Sequence, residues 1–488
     1  MNDEKIVRSV AEIRIMRAHA LYKQSPQIIQ IIPITPITPI TPKTPITPLP
    51  TMNKPTFLFL TLLPLLLVGC YNHNVHLVDF TSIDGGEGTF HVMSQQTTDM
   101  GNIPWSEAQR ELFAQASDMP QNPDDALPAP MRASSTNMNA VVQQLMDWGN
   151  GMSAIELAGT YASIDTEGNP ITLSGKVILP ADGKFKRYIL VSHYTIAANE
   201  EAPSQTFSLE GILVNLGYAL IIPDYLGYGI TADMVHPYLV METTATNVLD
   251  MYFQVLPFMK KAGLAPEHDD IYLMGYSQGG AVTMGVQHMI ETRYPDQIKI
   301  RRVFAGGGPY DVKATYDKFI ETNYASYPCA VPLMTQGVVK GNNLNLDLAK
   351  ILQPRIYENL DEWINSKKYT TAQINELIDT HTTDELLSSV GMDRTSFEIS
   401  ELYKALTLNS ILSYSWTPQA PVFIFHSIDD DIVPYVNATL AKSRWQYGNI
   451  QYNFGHYGNH IAGMLRFLMN VRTLLINEEK EENGNYNF

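Results

Sequence analysis

The sequence predicts an α/β fold built on a mostly parallel central sheet, and three observations predict it. From Ile155 onward, short apolar runs alternate with segments of helical spacing. Strand, helix and strand follow one another in the order that forces parallel pairing through right-handed crossovers. With 488 residues, 45% of them hydrophobic and 17% charged, the chain is also large and apolar enough to cover both faces of such a sheet. Residues 155–164 and 171–179 are extended runs around Asp165-Thr166-Glu167-Gly168-Asn169-Pro170, a cluster of turn formers, so they read as a hairpin. A short buried strand follows at 188–192, then helical spacing over 204–215 that stops at Gly217, then a strand at 218–222. The next stretch, Pro223-Asp224-Tyr225-Leu226-Gly227-Tyr228-Gly229, carries glycines that demand a tight turn. A long helix is expected over 240–261, a strand over 271–274, a helix over 279–294 and a strand over 302–305. From Asp311 to Trp416 the strand signal disappears, and the spacing predicts helices within 346–359, 371–380 and 400–413. Strands at 421–426 and 450–454 and a helix at 461–477 close the pattern. A helical insertion of about 100 residues between two sheet strands is the place for a cap or lid.

Charge and cysteine content exclude several function classes. The chain has 33 Lys plus Arg against 50 Asp plus Glu, a net charge of -17, with no basic cluster in its body, so nucleic acid is not an expected partner. Two cysteines, Cys70 and Cys329, cannot make a disulfide framework or a multi-thiolate metal site. There is no glycine-rich phosphate loop with its lysine, and neither cofactor nor metal is expected.

The N-terminal part obeys a different logic. Residues 1–51 are a low-complexity extension with proline at every third position from Pro33 to Pro48, a period that favours polyproline II without a core. At 52–69, Lys54 precedes an apolar run over 57–68 that is too short to span a bilayer comfortably and reads as a secretory signal. Its end, Leu67-Val68-Gly69-Cys70, resembles the bacterial lipobox. That resemblance implies acylation of Cys70 and export to the cell envelope, with each buried methylene worth roughly 0.8 kcal/mol to the membrane anchor. Residues 70–150 read as a tether with an N-terminal embellishment, including an amphipathic segment at 141–148. The remaining organisation is a core in two parts, 151–310 and 417–488, separated by the insertion at 311–416.

The sharpest chemical signal is Gly275-Tyr276-Ser277-Gln278-Gly279, which directly follows a strand and directly opens a helix. That context exposes a serine hydroxyl on a strained turn, and glycine on both sides removes β-carbons that would collide with neighbouring backbone. A nucleophilic hydroxyl needs a base, and the base needs an orienting acid. After the strand at 421–426, Asp429, Asp430 and Asp431 compete for the acid's role. His456 and His460 are the histidines that follow them. Either ring takes a proton only when neutral, which predicts activity that rises with pH.

Residues 155–471 resemble the α/β-hydrolase superfamily, and within it the secretory lipase and esterase branch. The resemblance rests on Asp224-Tyr225-x-Gly227-x-Gly229, the Ala202-Pro203-Ser204 lead-in, the serine turn, Asp430 with Val433-Pro434-Tyr435, and His460 heading a helix. It implies an α/β-hydrolase fold with Ser277, Asp430 and His460 as catalytic triad. The oxyanion hole would use the backbone N–H of Gln278 and a second donor from Tyr194 or Thr195, while His193 would bond a nearby loop. The loop after the strand at 188–192 departs from the superfamily by lacking a His-Gly pair, and Cys329 is the lone cysteine of the insertion. The implied activity is a serine carboxylesterase or lipase cleaving short to medium acyl esters. Met334, Leu344, Leu346, Leu348, Ile351 and Leu352 would either line an acyl pocket or pack the cap onto the sheet. The sequence lacks a long apolar lid helix, which favours an esterase. Two other readings compete: a serine peptidase of the same superfamily, for which no carboxylate pair can be assigned, and an inactive lipid-anchored binding protein.

Overall fold

The computed structural model describes residues 78–117, 151–482 and 484. The proline repeat, the signal segment, Cys70 and the 141–148 segment lie outside the described residues. Within the described part, nine strands form one sheet: β1 (His91–Asp99), β2 (Ser153–Ile164), β3 (Pro170–Pro180), β4 (Tyr188–Ser192), β5 (Ala219–Pro223), β6 (Ile271–Tyr276), β7 (Ile300–Gly306), β8 (Val422–Ser427) and β9 (Ile450–Gly455). Their order is β1-β2-β3-β5-β4-β6-β7-β8-β9. The first three strands and the β3–β5 pair are antiparallel, and every pair from β5 to β9 is parallel. The longer α-helices are α1 (Glu107–Ser117), α2 (Met241–Lys261), α3 (Gln278–Arg293), α4 (Val312–Thr322), α5 (Ala330–Gly341), α6 (Thr371–Ile378), α7 (Phe397–Asn409), α8 (Val436–Arg444) and α9 (His460–Glu482). The fold is that of the α/β-hydrolases, as the sequence predicts.

Alternation along the strands explains the layers. Leu190, Leu273, Val303 and Ile424 join α2 and α3 residues such as Val248, Met251, Val282 and Val286 in one core. Their strand neighbours Val191, Met274, Phe304 and Phe425 face the other way and pack on Phe467 and Leu468 of α9. Successive strand residues point to opposite faces, so a strand covered on both sides must be apolar at nearly every position. β4, β5, β6 and β8 are buried throughout. Each large side chain so buried contributes roughly 1.5–3 kcal/mol.

Local chemistry shifts some expected boundaries. The helical stretch over 204–215 is reduced to a 3-10 helix, Leu209–Leu216, ended by Gly217 at φ +80°. The segment at 346–359 is two short helices, Leu348–Ile351 and Pro354–Glu358. Pro354 disfavours helical backbone at the residue before it, and Gln353 is extended accordingly. Within 70–150, read from sequence as a tether with an N-terminal embellishment, β1 is the edge strand of the main sheet, paired with β2 from His91 to Asp99, and α1 packs Phe113 into the core shared with α9. The segment between β7 and β8 is helical and has its own core, in which Tyr316, Val331, Ile374, Leu402 and Leu406 meet.

Candidate active site

β6 ends at Tyr276 and α3 begins at Gln278, leaving Ser277 between them at φ +58° and ψ -125°. Such backbone costs a non-glycine residue of order 1–3 kcal/mol and persists only where the surroundings fix it. Here the Ser277 N–H donates to Gly306 O at 2.9 Å, and Ser277 O accepts from Gly280 N–H at 2.9 Å. The flanking glycines are sterically required. A Cβ on Gly275 would lie 2.2 Å from Gly279 O, and one on Gly279 would lie 2.0 Å from Ser192 O.

The turn aims the serine hydroxyl at His460, the first residue of α9. His460 Nε2 lies 2.8 Å from Ser277 Oγ, and His460 Nδ1 lies 2.7 Å from Asp430 Oδ2. The carboxylate can only accept, so Nδ1 carries the proton and Nε2 is left with a lone pair facing the hydroxyl. Asp430 Oδ1 accepts from the N–H groups of Ile432 at 3.0 Å and Val433 at 2.8 Å, so both oxygens are engaged. Burial alone would raise the Asp430 carboxyl. The charge and hydrogen bond of His460, the nearby His426 and the Val433 N–H outweigh burial and hold the carboxyl below the usual carboxylate range.

The rival acids and base are elsewhere. Asp429 pairs with His456 at 2.8 Å on the surface, where both side chains are largely exposed. Asp431 accepts the backbone N–H of His460 at 3.0 Å, which seats the start of α9. Of three adjacent aspartates, one reaches the ring, one caps the helix that carries it, and one faces solvent.

Ser277 and His460 open into a cleft of about 1010 Å³, its mouth included. Tyr194 and Thr195 lie in its wall, and Thr195 Oγ1 is 2.7 Å from Tyr238 Oη. Gln278 is the first residue of α3, so its backbone N–H has no acceptor within the helix. His193 is buried behind this loop, its Nδ1 2.6 Å from Tyr194 O and its Nε2 3.2 Å from Asp224 O, and burial pushes the ring down to about 4. Of the six apolar insertion residues singled out in the sequence, Met334 alone reaches the cleft wall. Leu348, Ile351 and Leu352 are core of the insertion, and Leu344 and Leu346 pack against it. Cys329 lies in the wall but is fully buried, and burial pushes its thiol up, away from the reactive thiolate.

Among the wall residues that sequence reasoning missed are Glu111 and Leu112 of α1, and Glu201. Glu201 Oε2 accepts from the N–H groups of Ala197 at 3.1 Å and Ala198 at 3.0 Å, and burial pushes its carboxyl up to about 7. A glutamate ending a single 3-10 turn, Asn199–Glu201, or a helix whose residues are mainly polar, carries no signal of a pocket. Among the described residues, no cluster of His, Cys, Asp or Glu is arranged to hold a metal ion.

A hydroxyl beside a neutral imidazole, with a buried carboxylate to stabilise the imidazolium, can attack an electrophilic carbonyl and form a covalent intermediate. Several known proteins are similar to this chain. The secreted triacylglycerol lipase LIP1 of Malassezia furfur is 22% identical over 296 residues, an alignment covering 56% of this chain and about half (55%) of that relative's length. The rice cell wall degrading esterase LipA of Xanthomonas oryzae has a similar fold, with a TM-score of 0.59 at 19% identity over 70% of this chain and 94% of that one. A putative hydrolase of Legionella pneumophila superposes with a TM-score of 0.61 at 20% identity, over 81% and 98% of the two chains. The family model for secretory lipases matches residues 203–467, a span that holds the serine turn, all three aspartates and both histidines, and the chain belongs to that family.

Proposed function

We propose that this chain is a serine carboxylesterase or lipase acting on short to medium acyl chains through an acyl-enzyme. The observation that carries the reading is the unbroken connection from Ser277 Oγ through the His460 ring to Asp430, 2.8 Å and then 2.7 Å. His460 Nε2 takes the hydroxyl proton as Oγ attacks the ester carbonyl, and Asp430 stabilises the imidazolium. The negative charge on the carbonyl oxygen is met by the Gln278 N–H and a second N–H from Tyr194 or Thr195. The imidazolium returns its proton to the leaving alcohol as the C–O bond breaks, leaving the acyl group on Ser277. Water, deprotonated by the same ring, then releases the acid. Leu333, Met334 and Met464 give the cleft an apolar wall for the acyl chain. Membership in a secretory family and the lipobox-like Leu67-Val68-Gly69-Cys70 support an exported enzyme held at the envelope by an acyl group on Cys70. Among the described residues, no helix is long and apolar enough to cross a membrane.

The test is a series of p-nitrophenyl esters from acetate to palmitate. kcat/KM is expected to peak at short to medium chains and fall for palmitate. A monotonic rise to palmitate, with activation at an oil interface, would replace the esterase reading with a long-chain lipase.

The same series at one chain length fixes the pH dependence. The logarithm of kcat/KM is expected to climb with pH along a slope of one, since a single base must be neutral to take the serine proton, then level off. Asp430 is expected to add no second proton to this limb, because the charge and hydrogen bond of His460 hold its carboxyl below the usual carboxylate range. A limb of slope two would contradict that assignment.

A further inference from the structure

The turn Asp224-Tyr225-Leu226-Gly227-Tyr228-Gly229 lies beside the serine turn, yet none of its residues lines the cleft. What it builds is a stack of rings behind the cleft. The Asp224 carboxylate is wholly buried and accepts from Ser204 N–H at 2.7 Å and Ser174 Oγ at 2.5 Å. Tyr225 adopts φ +68°, and its ring stacks on His193, with centroids 3.9 Å apart, and runs nearly parallel, at 7°, to His236, 6.0 Å away. Gly227, at φ +92°, lets the turn close on His236, since a Cβ there would sit 2.6 Å from His236 Cα.

His236 makes two hydrogen bonds that fix its tautomer. Nδ1 is 2.7 Å from Leu226 O. A carbonyl only accepts, so Nδ1 carries the hydrogen and Nε2 keeps its lone pair. That lone pair lies 2.8 Å from Gln278 Nε2, so the Gln278 amide donates to it. Both side chains are buried, at 4% and 1% exposure, so neither has water as an alternative partner. Burial pushes the His236 ring down to about 3, aided by the charges of Lys367 and His193 and opposed by the bond to Leu226, so the acceptor persists at any pH of interest.

We infer that His236 is a positioning residue for the oxyanion hole: by accepting from the Gln278 side chain, it fixes the residue whose backbone N–H meets the charge developing on the substrate carbonyl. The inference rests on the serine-hydrolase reading above. Its physical basis is that a buried amide deprived of its acceptor will rotate to find another. A side chain drawn to a new partner pulls on the Gln278 Cα and, against the hold of Gly280 N–H on Ser277 O, shifts the peptide joining the two residues; a displacement of about 1 Å in a catalytic group costs about a hundredfold. At the other end of the stack, His193 holds Tyr194 O at 2.6 Å, so the rings join the segments that supply both oxyanion donors.

Two substitutions at one position separate the acceptor from the ring. His236→Phe keeps a ring to stack on Tyr225 but has no lone pair. His236→Gln gives up the ring but offers a carbonyl oxygen towards Gln278. With p-nitrophenyl butyrate, His236→Phe is expected to lower kcat about 10- to 100-fold with KM within about twofold, the signature of an interaction made in the transition state. His236→Gln is expected to recover most of that loss. Gln278→Leu keeps the backbone N–H, removes the donor, and is expected to lose kcat as His236→Phe does, with the double variant no worse than either single one. It also keeps the test decisive should His236→Phe fail to fold. Unchanged kcat in His236→Phe or Gln278→Leu would overturn the inference, as would a Phe variant more active than Gln, which would make the stack itself the functional element. Turnover that survives Ser277→Ala overturns the triad reading and this inference together. Turnover that needs Ser277 but ignores both His236→Phe and Gln278→Leu overturns this inference alone.

Discussion

Ser277→Ala is expected to lower kcat for p-nitrophenyl butyrate by at least about a thousandfold, the scale of a removed triad member. The substitution deletes the oxygen 2.8 Å from His460 Nε2 and nothing else in the connection. Residual turnover would come from the oxyanion donors polarising the carbonyl for attack by water. Stability should barely change. Alanine meets the same backbone strain at φ +58°, and the N–H bond to Gly306 O does not involve the side chain. Paired with the kinetics, a fluorophosphonate should label the wild-type chain at Ser277 and leave the variant unlabelled. Comparable rates for the two proteins, or labelling of a different residue, would refute the assignment.

How far the sequence reaches depends on how local each cause is. The serine turn was readable because its constraint is local: residues 275 and 279 must lack a Cβ, and the strand before and helix after are set by their own spacing. The central strands were readable because burial on both faces leaves no polar position to confuse the pattern. β1 escaped notice because it is an edge strand with few buried positions, so His91, Ser94, Gln95 and Gln96 break the apolar alternation. Asp430 could not be chosen over Asp429 and Asp431 from spacing, since adjacent loop residues point in unrelated directions. Only resemblance favoured it. The wall of the cleft was the least readable part. Leu348, Ile351 and Leu352 have the spacing expected of a pocket lining, but whether an apolar face meets substrate or another helix depends on what packs on it. His236 gave no signal at all: its role exists only where a turn from one part of the chain presses it against Gln278 from another.

Asp430→Asn is expected to cost roughly ten-thousandfold in kcat, more than its small change in shape suggests, because it reverses a proton's location. The Asn oxygen can keep the bonds that Asp430 Oδ1 accepts from Ile432 and Val433. The amide NH₂ then faces His460 Nδ1, so that nitrogen must become the acceptor and the ring hydrogen moves to Nε2. Nε2 would point a hydrogen at Ser277 where a lone pair is needed, and the hydroxyl would have no base. The same carboxylate links activity to acid stability. Its folded pKa is lowered, so the stabilisation it provides is present above the unfolded carboxyl value and is lost as pH falls through the folded one. Asp430→Asn should therefore melt closer to wild type at pH 3 than at pH 7, while remaining inactive at both. The neighbouring pair supplies the contrast. Asp429→Asn and His456→Ala break an exposed Asp–His contact worth about 0–1 kcal/mol and lie away from Ser277, so both should keep wild-type kcat. Equal losses at Asp429 and Asp430 would mean that the loop's charge, and not one carboxylate's grip on the ring, sets the rate.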